Sequence, residues 1–151
     1  LRTVLGQDGE IEGNLNLTWD EIGEMSRNGV SFGAHTVNHP ILTRLTDEES
    51  EREIFESKAK IEEELKKPVI TFCYPSGEKD TFSEFHKKLL KENGFLCAVS
   101  TSSGPVGSKS DLFALERISV DKSDTMPLFK AKLTGIFEIK NHIKKQLGFK
   151  G

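Results

Sequence analysis

At 151 residues the chain is long enough to bury one core, but short of the roughly 200–250 that a closed α/β barrel needs. Hydrophobic residues make up 35% and charged residues 30%, an ordinary to slightly polar balance for a globular domain. The formal net charge of −3 leaves no basic excess for neutralising phosphates, which argues against nucleic acid as the main partner. No signal peptide is legible, and no apolar run reaches the about 18 residues of a membrane span. The lysine clusters at 58–67, 87–91 and 140–150 lie among glutamates at helical spacing and read as solvated helix faces. Cys73 and Cys97 sit in apolar runs and read as buried free thiols, too few for a disulfide scaffold and without zinc-finger spacing.

Residues 1–16, with three glycines and two asparagines, read as a loop. Leu17 to Asn28 reads as a helix: Thr18 and Glu21 form a capping box, Leu17 and Ile22 a hydrophobic staple, and Trp19, Ile22 and Met25 one face. Val30, Phe32 and Ala34 alternate with Ser31 and Gly33, the period of a half-buried strand over 30–35. That strand delivers His35 at its carboxyl end, and His39 follows four residues later. Pro40 biases His39 toward an extended conformation. A second capping box, Thr46 with Glu49, opens a helix to about Lys67 with Ile54, Phe55, Ile61 and Leu65 as its buried stripe. Residues 69–74 read as a strand ended by the turn Pro75-Ser76-Gly77. A third box, Thr81 with Glu84, begins a helix with Phe82, Phe85 and Leu89 inward, closed by Gly94. Phe95–Val99 is a third strand, residues 100–110 a Ser- and Gly-rich loop, and 112–120 one or two short strands around Arg117. A last helix is expected over 126–147, with Phe129, Leu133, Ile136, Phe137, Ile143 and Leu147 on one side.

The alternation of helix and strand from 17 to 99 implies right-handed βαβ units and a parallel sheet. Loops 35–45, 75–80, 100–111 and 121–124 then share one end of that sheet, where α/β folds place their chemistry. His35 and His39 are candidate ligands there for zinc, iron, cobalt or nickel, since neutral imidazole binds such metals well. A spacing of four without chemical meaning is the competing reading of the pair taken alone. The turn at 74–77 offers exposed backbone N–H groups. Asp80, Asp111, Asp121 and Asp124 offer carboxylates. Arg117 is a candidate partner for one of them, while His86 and His142 read as surface or packing residues.

With these residues in place the sequence resembles the polysaccharide deacetylase family, carbohydrate esterase family four. His35-Thr36-Val37-Asn38-His39-Pro40 matches the family's H-[ST]-x-x-H-P metal motif residue for residue, and Phe72-Cys73-Tyr74-Pro75-Ser76-Gly77 matches the F-x-Y-P-x-G turn of one branch. The resemblance covers roughly residues 15 to 120, and it implies an α/β fold: a deformed (β/α) barrel, here one partial domain over 1–151 with parallel strands. It implies metal-dependent hydrolysis of N-acetyl or O-acetyl groups on a polysaccharide or amino-sugar substrate, with Zn2+ or another divalent transition metal on His35 and His39. The Ser76 N–H would be the oxyanion donor, and Tyr74 and Pro75 would be substrate-binding, Tyr74 by packing or shaping the sugar groove, with proton chemistry as its competing role. An extracytoplasmic or cell-envelope location is what the resemblance suggests. The family's T-F-D-D-G motif, which carries the base and the third ligand, is not in this sequence, and neither is its late L-x-H segment. Asp80 or Asp124 is the local candidate to replace the missing carboxylate. A degenerate carbohydrate-binding or assembly module that keeps the two histidines is the rival reading. The open barrel edge implied by a partial barrel is a route to homo-oligomers.

Overall fold

Short polar side chains decide where the helices begin. In the computed structural model, which describes residues 16–136, Thr18 Oγ1 accepts from the Glu21 N–H at 3.3 Å while the Glu21 carboxylate accepts from the Thr18 N–H at 2.7 Å. This reciprocal cap opens α1 (Trp19–Arg27), and Thr46 with Glu49 opens α2 (Asp47–Leu65) in the same way. The third cap lies two residues later than the sequence suggests. α3 (Glu84–Glu92) is capped by Ser83 rather than Thr81, and its reciprocal partner is His86 rather than Glu84. Thr81 is already committed, since its N–H and its hydroxyl both donate to Glu78 O and close a turn ahead of the helix.

β1 (Thr71–Cys73), β2 (Cys97–Ser103) and β3 (Leu115–Arg117) form a parallel sheet in that order, as expected of βαβ units. The strand expected at 30–35 contracts to a single paired residue. Ala34 lies parallel to Phe72, donating to Thr71 O and accepting from the Cys73 N–H, both at 2.9 Å. Before it, the Val30 N–H turns back to Met25 O at 3.0 Å; after it, Thr36 adopts a φ of 63°. Only the stretch between can follow β1. Its approach needs a glycine, because a Cβ on Gly33 would stand 2.6 Å from Thr71 Oγ1 and 3.0 Å from Thr71 O. β2 extends into the Ser-rich stretch expected to be loop. Side chains carry part of the pairing there: Ser100 Oγ donates to Leu115 O at 3.1 Å and Arg117 Nε to Ser100 O at 2.6 Å, around an irregular register between Val99 and Ser103.

Ala34, Phe72 and Ala98 from the sheet pack with Ile54 of α2 and Leu89 and Leu90 of α3 into one cluster. The buried stripe of α2 is Ser50, Glu53, Ile54 and Ser57, an i, i+3, i+4, i+7 set, and Phe55 stands 54% exposed. Phe85 is likewise exposed, with Leu90 inward instead. Counting apolar residues finds Ile54, Ile61, Phe82 and Leu89 but misplaces Phe55 and Phe85, and on α2 it passes over two serines and a glutamate at core-facing positions. α4 (Met126–Leu133) begins at the Thr125 cap and ends where Gly135 takes a φ of 68° and donates to Lys132 O. The helix expected over 126–147 is therefore interrupted at 134–135, and Ile136, the last described residue, is helical again. Residues 1–15, and Phe137, His142, Ile143 and Leu147, lie outside the described residues. Cys73 and Cys97 are free and half-buried. Among the described residues no helix is long and apolar enough to cross a membrane. Because the strands are parallel, the segments following Ala34, Cys73, Ser103 and Arg117 all leave from one end of the sheet.

Candidate active site

The chain leaves the sheet at Ala34 and turns at once. Thr36 and His39 both take left-handed backbone, with φ of 63° and 56°, a conformation that costs a non-glycine residue about 1–2 kcal/mol. The extended His39 expected from Pro40 is not what forms. Thr36 Oγ1 accepts from the His39 N–H at 3.1 Å and itself donates to His35 O at 2.6 Å, so one hydroxyl closes the turn from inside. The result sets the two imidazoles edge to face, with ring centroids 4.8 Å apart and planes at 78°. Both histidines are exposed.

His35 Nδ1 lies 2.7 Å from Cys73 O. A carbonyl only accepts, so Nδ1 carries the proton, and in the neutral ring the lone pair is left on Nε2. Metal-ligating histidines are commonly fixed in this way by a partner on the second nitrogen. The same strand end then forms the turn. Pro75 is buried, Ser76 takes a φ of 59°, and the Gly77 N–H donates to Pro75 O at 2.7 Å. Thr101 of β2 holds the turn from the side, its N–H donating to Gly77 O at 2.9 Å and its hydroxyl to Ser76 O at 2.7 Å. A Cβ on Gly77 would meet Thr101 N at 2.8 Å. Among the described residues, none accepts from the Ser76 N–H.

Tyr74 and Pro75 back this turn from beneath. Tyr74 is 1% exposed, stacked on Phe82 with centroids 3.8 Å apart, and its hydroxyl donates to Phe113 O at 2.9 Å. Burial, with Asp111 and Glu84 adding to it, pushes the phenol well above its ordinary pKa. Neither side chain presents a surface to a sugar in this structure, so any effect on a substrate groove passes through the turn they support.

None of the candidate carboxylates gathers with the two histidines. Asp80 is exposed at the end of the 75–80 loop, where its backbone O accepts from Thr43 Oγ1 at 2.8 Å. Asp111 pairs with Lys87 at 2.8 Å, and that hydrogen bond holds its carboxyl below the usual range. Asp124 pairs with Lys132 at 2.6 Å and accepts from the Asp121 N–H, which lower it in the same way. Asp121 accepts from Ser123. Arg117 pairs with Ser100 O and with no carboxylate among the described residues. His86 is buried at the start of α3, a packing residue. Nowhere among the described residues do three His, Cys, Asp or Glu side chains gather as they could around a metal ion. Neither Asp80 nor Asp124 therefore completes the histidine pair.

Sequence reasoning missed Glu53. Buried in α2, its Oε2 accepts from the Val37 and Asn38 N–H groups at 2.8 and 2.9 Å, and its Oε1 from Asn38 Nδ2 at 2.6 Å. Burial pulls its carboxyl upward, yet the hydrogen bonds from Asn38 and Val37, with Arg52 nearby, outweigh it and leave the group below the ordinary glutamate range. The available signal was a charged residue falling on the inward helical stripe beside Ile54.

The donor set fits a divalent metal in part. The neutral His35 ring has its lone pair on Nε2 beside a second imidazole, two corners of the tetrahedral site that zinc prefers. The family model for polysaccharide deacetylase matches residues 6–97. YxkH of Bacillus subtilis (strain 168), a protein named as a polysaccharide deacetylase, is 27% identical over 105 residues, 70% of this chain and 37% of that protein. The Streptococcus pyogenes deacetylase PplD, solved in complex with acetate, superposes with a TM-score of 0.72 at 26% identity, covering 78% of this chain and 50% of its own. BC0361, a polysaccharide deacetylase from Bacillus cereus, gives 0.66 at 26% identity, covering 85% and 38%. The chain thus spans half or less of the length of these relatives.

Proposed function

The chain belongs to the polysaccharide deacetylase family, and from that premise we propose that it carries the metal-binding and oxyanion-binding portion of a metal-dependent deacetylase acting on an acetylated polysaccharide outside the cytoplasm. The observation that carries this reading is the Cys73 carbonyl on His35 Nδ1, which leaves Nε2 available 4.8 Å, ring to ring, from His39. His35 and His39 would hold the metal. When bound, a divalent ion such as zinc supplies Lewis acidity toward a carbonyl and a nucleophilic water near neutral pH. The unspent Ser76 N–H donates to the oxyanion as the acetyl carbon becomes tetrahedral, and the bonds from Thr101 keep that donor in place. A donor already fixed by the fold needs no reorganisation as charge develops, and this favours the transition state over the ground state. Acetate, held by the Streptococcus pyogenes relative, is the acyl product such chemistry would give as the sugar amine or hydroxyl leaves.

Two imidazoles leave coordination positions to water, whereas strong sites have three or four protein ligands, so zinc affinity should be weak. Calorimetric titration of the chain and of His35→Ala and His39→Ala tests the assignment. Each substitution should abolish the binding isotherm; zinc affinity unchanged in both would refute it.

A further inference from the structure

Glu53 is a buried carboxylate whose hydrogen-bond partners among the described residues all lie on the loop between the two histidines. Burying a charge is costly unless it is fully hydrogen-bonded, and a residue needed only to fill this helix face would not have to be ionised. No lysine or arginine forms an ion pair with it among the described residues. Its bonds go instead to the middle of the loop, Val37 and Asn38, between the left-handed residues Thr36 and His39. Released from α2, that segment would have only the Thr36 hydroxyl to keep two non-glycine residues at positive φ. His35 is anchored separately, by the Cys73 carbonyl. The placement of the second imidazole against the first therefore depends on Glu53 together with the Thr36 hydroxyl.

We infer that Glu53 is the positioning residue of this site: it reaches from α2 to hold the His35–His39 loop in the geometry that lets both imidazoles meet one metal. This rests on the metal reading above. The carboxylate touches neither metal nor substrate; it acts through Val37 and Asn38, as the outer partners of metal ligands do elsewhere, where their loss lowers affinity by about 10–100-fold.

The pair Glu53 and Asn38 allows a test that separates positioning from general stability. Glu53→Ala should lower zinc affinity of the full chain about 10-fold or more, read by calorimetry well below the melting temperature. Ile61→Ala, on the same helix two turns away, should lower the melting temperature and leave the affinity of the folded protein alone. Asn38→Asp sets a carboxylate against Glu53 where the amide now donates at 2.6 Å, and should also weaken zinc. Adding Glu53→Gln to Asn38→Asp restores one acid facing one amide and should recover most of the affinity, a coupling that a purely structural role would not produce. Equal affinity in Glu53→Ala and the wild type, or loss that follows melting temperature across all variants, overturns the inference. Wild-type protein that binds no zinc would strike the metal reading instead. Amide exchange at Val37 and Asn38 in the metal-free protein then decides the clamp, with unchanged protection in Glu53→Ala refuting it and accelerated exchange upholding it.

Discussion

The hydroxyl of Tyr74 donates to Phe113 O across from β1, and the ring lies flat on Phe82 at 3.8 Å, so this side chain ties the 74–77 turn to the segment ahead of β3. Removing only the hydroxyl tests whether that is its whole role. Tyr74→Phe keeps the stacking and leaves one carbonyl without its partner, which should cost about 0.5–1.5 kcal/mol of stability in urea unfolding. Zinc affinity should not change. A loss of zinc affinity larger than the loss of stability would show that the phenol reaches the site. The contrast with His35 and His39 shows what a sequence carries at this scale. Their spacing and Pro40 mark them locally, and the structure brings the two rings together. Tyr74 stands inside an equally specific motif, yet whether its ring faces sugar or core depends on Phe82 and Phe113, which no local pattern links to it. Glu53 is harder still, because its partners lie 15 and 16 residues earlier and nothing in α2 names them.

Among the elements, α3 shows how a cap can make a helix sensitive to pH. The Ser83 N–H donates to His86 Nδ1 at 3.0 Å, so Nδ1 is the acceptor and Nε2–H faces Ser50 Oγ at 3.2 Å on α2. Burial lowers the pKa of this imidazole below its ordinary value, although the Asp47 carboxylate and a backbone bond at Leu42 pull the other way. The folded state therefore favours the neutral ring. Its contribution to stability is complete above the unfolded value of about 6.5 and is lost as pH falls through the lower folded value. Urea midpoints measured from pH 7 to pH 5 should fall in the wild type. His86→Gln, which can accept from Ser83 and donate to Ser50 without titrating, should show a flatter profile across that window; an identical slope in both proteins would remove His86 as the cause. The carboxylates lowered in the fold, Glu53, Asp111 and Asp124 among them, lose their contributions only at more acid pH and do not confuse the comparison. The first two capping boxes were legible because a cap is a contact over three residues. The strand at Ala34 and the extension of β2 were not, since each depends on a neighbour that decides how much of the segment can pair: Thr71 against Gly33, and Leu115 and Arg117 against Ser100.

Taken as a whole molecule, the described residues supply two imidazoles and an unspent backbone donor at one end of a three-stranded parallel sheet, but no carboxylate beside them. β3 has no partner on its outer side among these residues, and Ala34 pairs on one side only. A general base contributes about 10²–10⁴-fold to such a hydrolysis, and a third ligand also fixes the geometry of the metal. These effects act on one transition state and need not multiply. The 151-residue chain alone should therefore release acetate from acetylated chito-oligosaccharides at least about 10²-fold more slowly than a version completed with an Asp-Asp segment taken from a relative. Acetate release, assayed with and without that segment across several divalent metals, is the measurement. Restored turnover that His35→Ala abolishes would join the Asp segment and the histidines in one site. Brisk zinc-dependent turnover by the chain alone, lost in Asp80→Asn or Asp124→Asn, would mean that a local carboxylate moves to the metal. For Asp124 that movement must break its 2.6 Å ion pair with Lys132 and its bond from the Asp121 N–H, so a gain in activity from Lys132→Met would accompany it. The fold sets Asp124 against α4 instead, and the expected result is a slow chain whose rate neither aspartate variant alters.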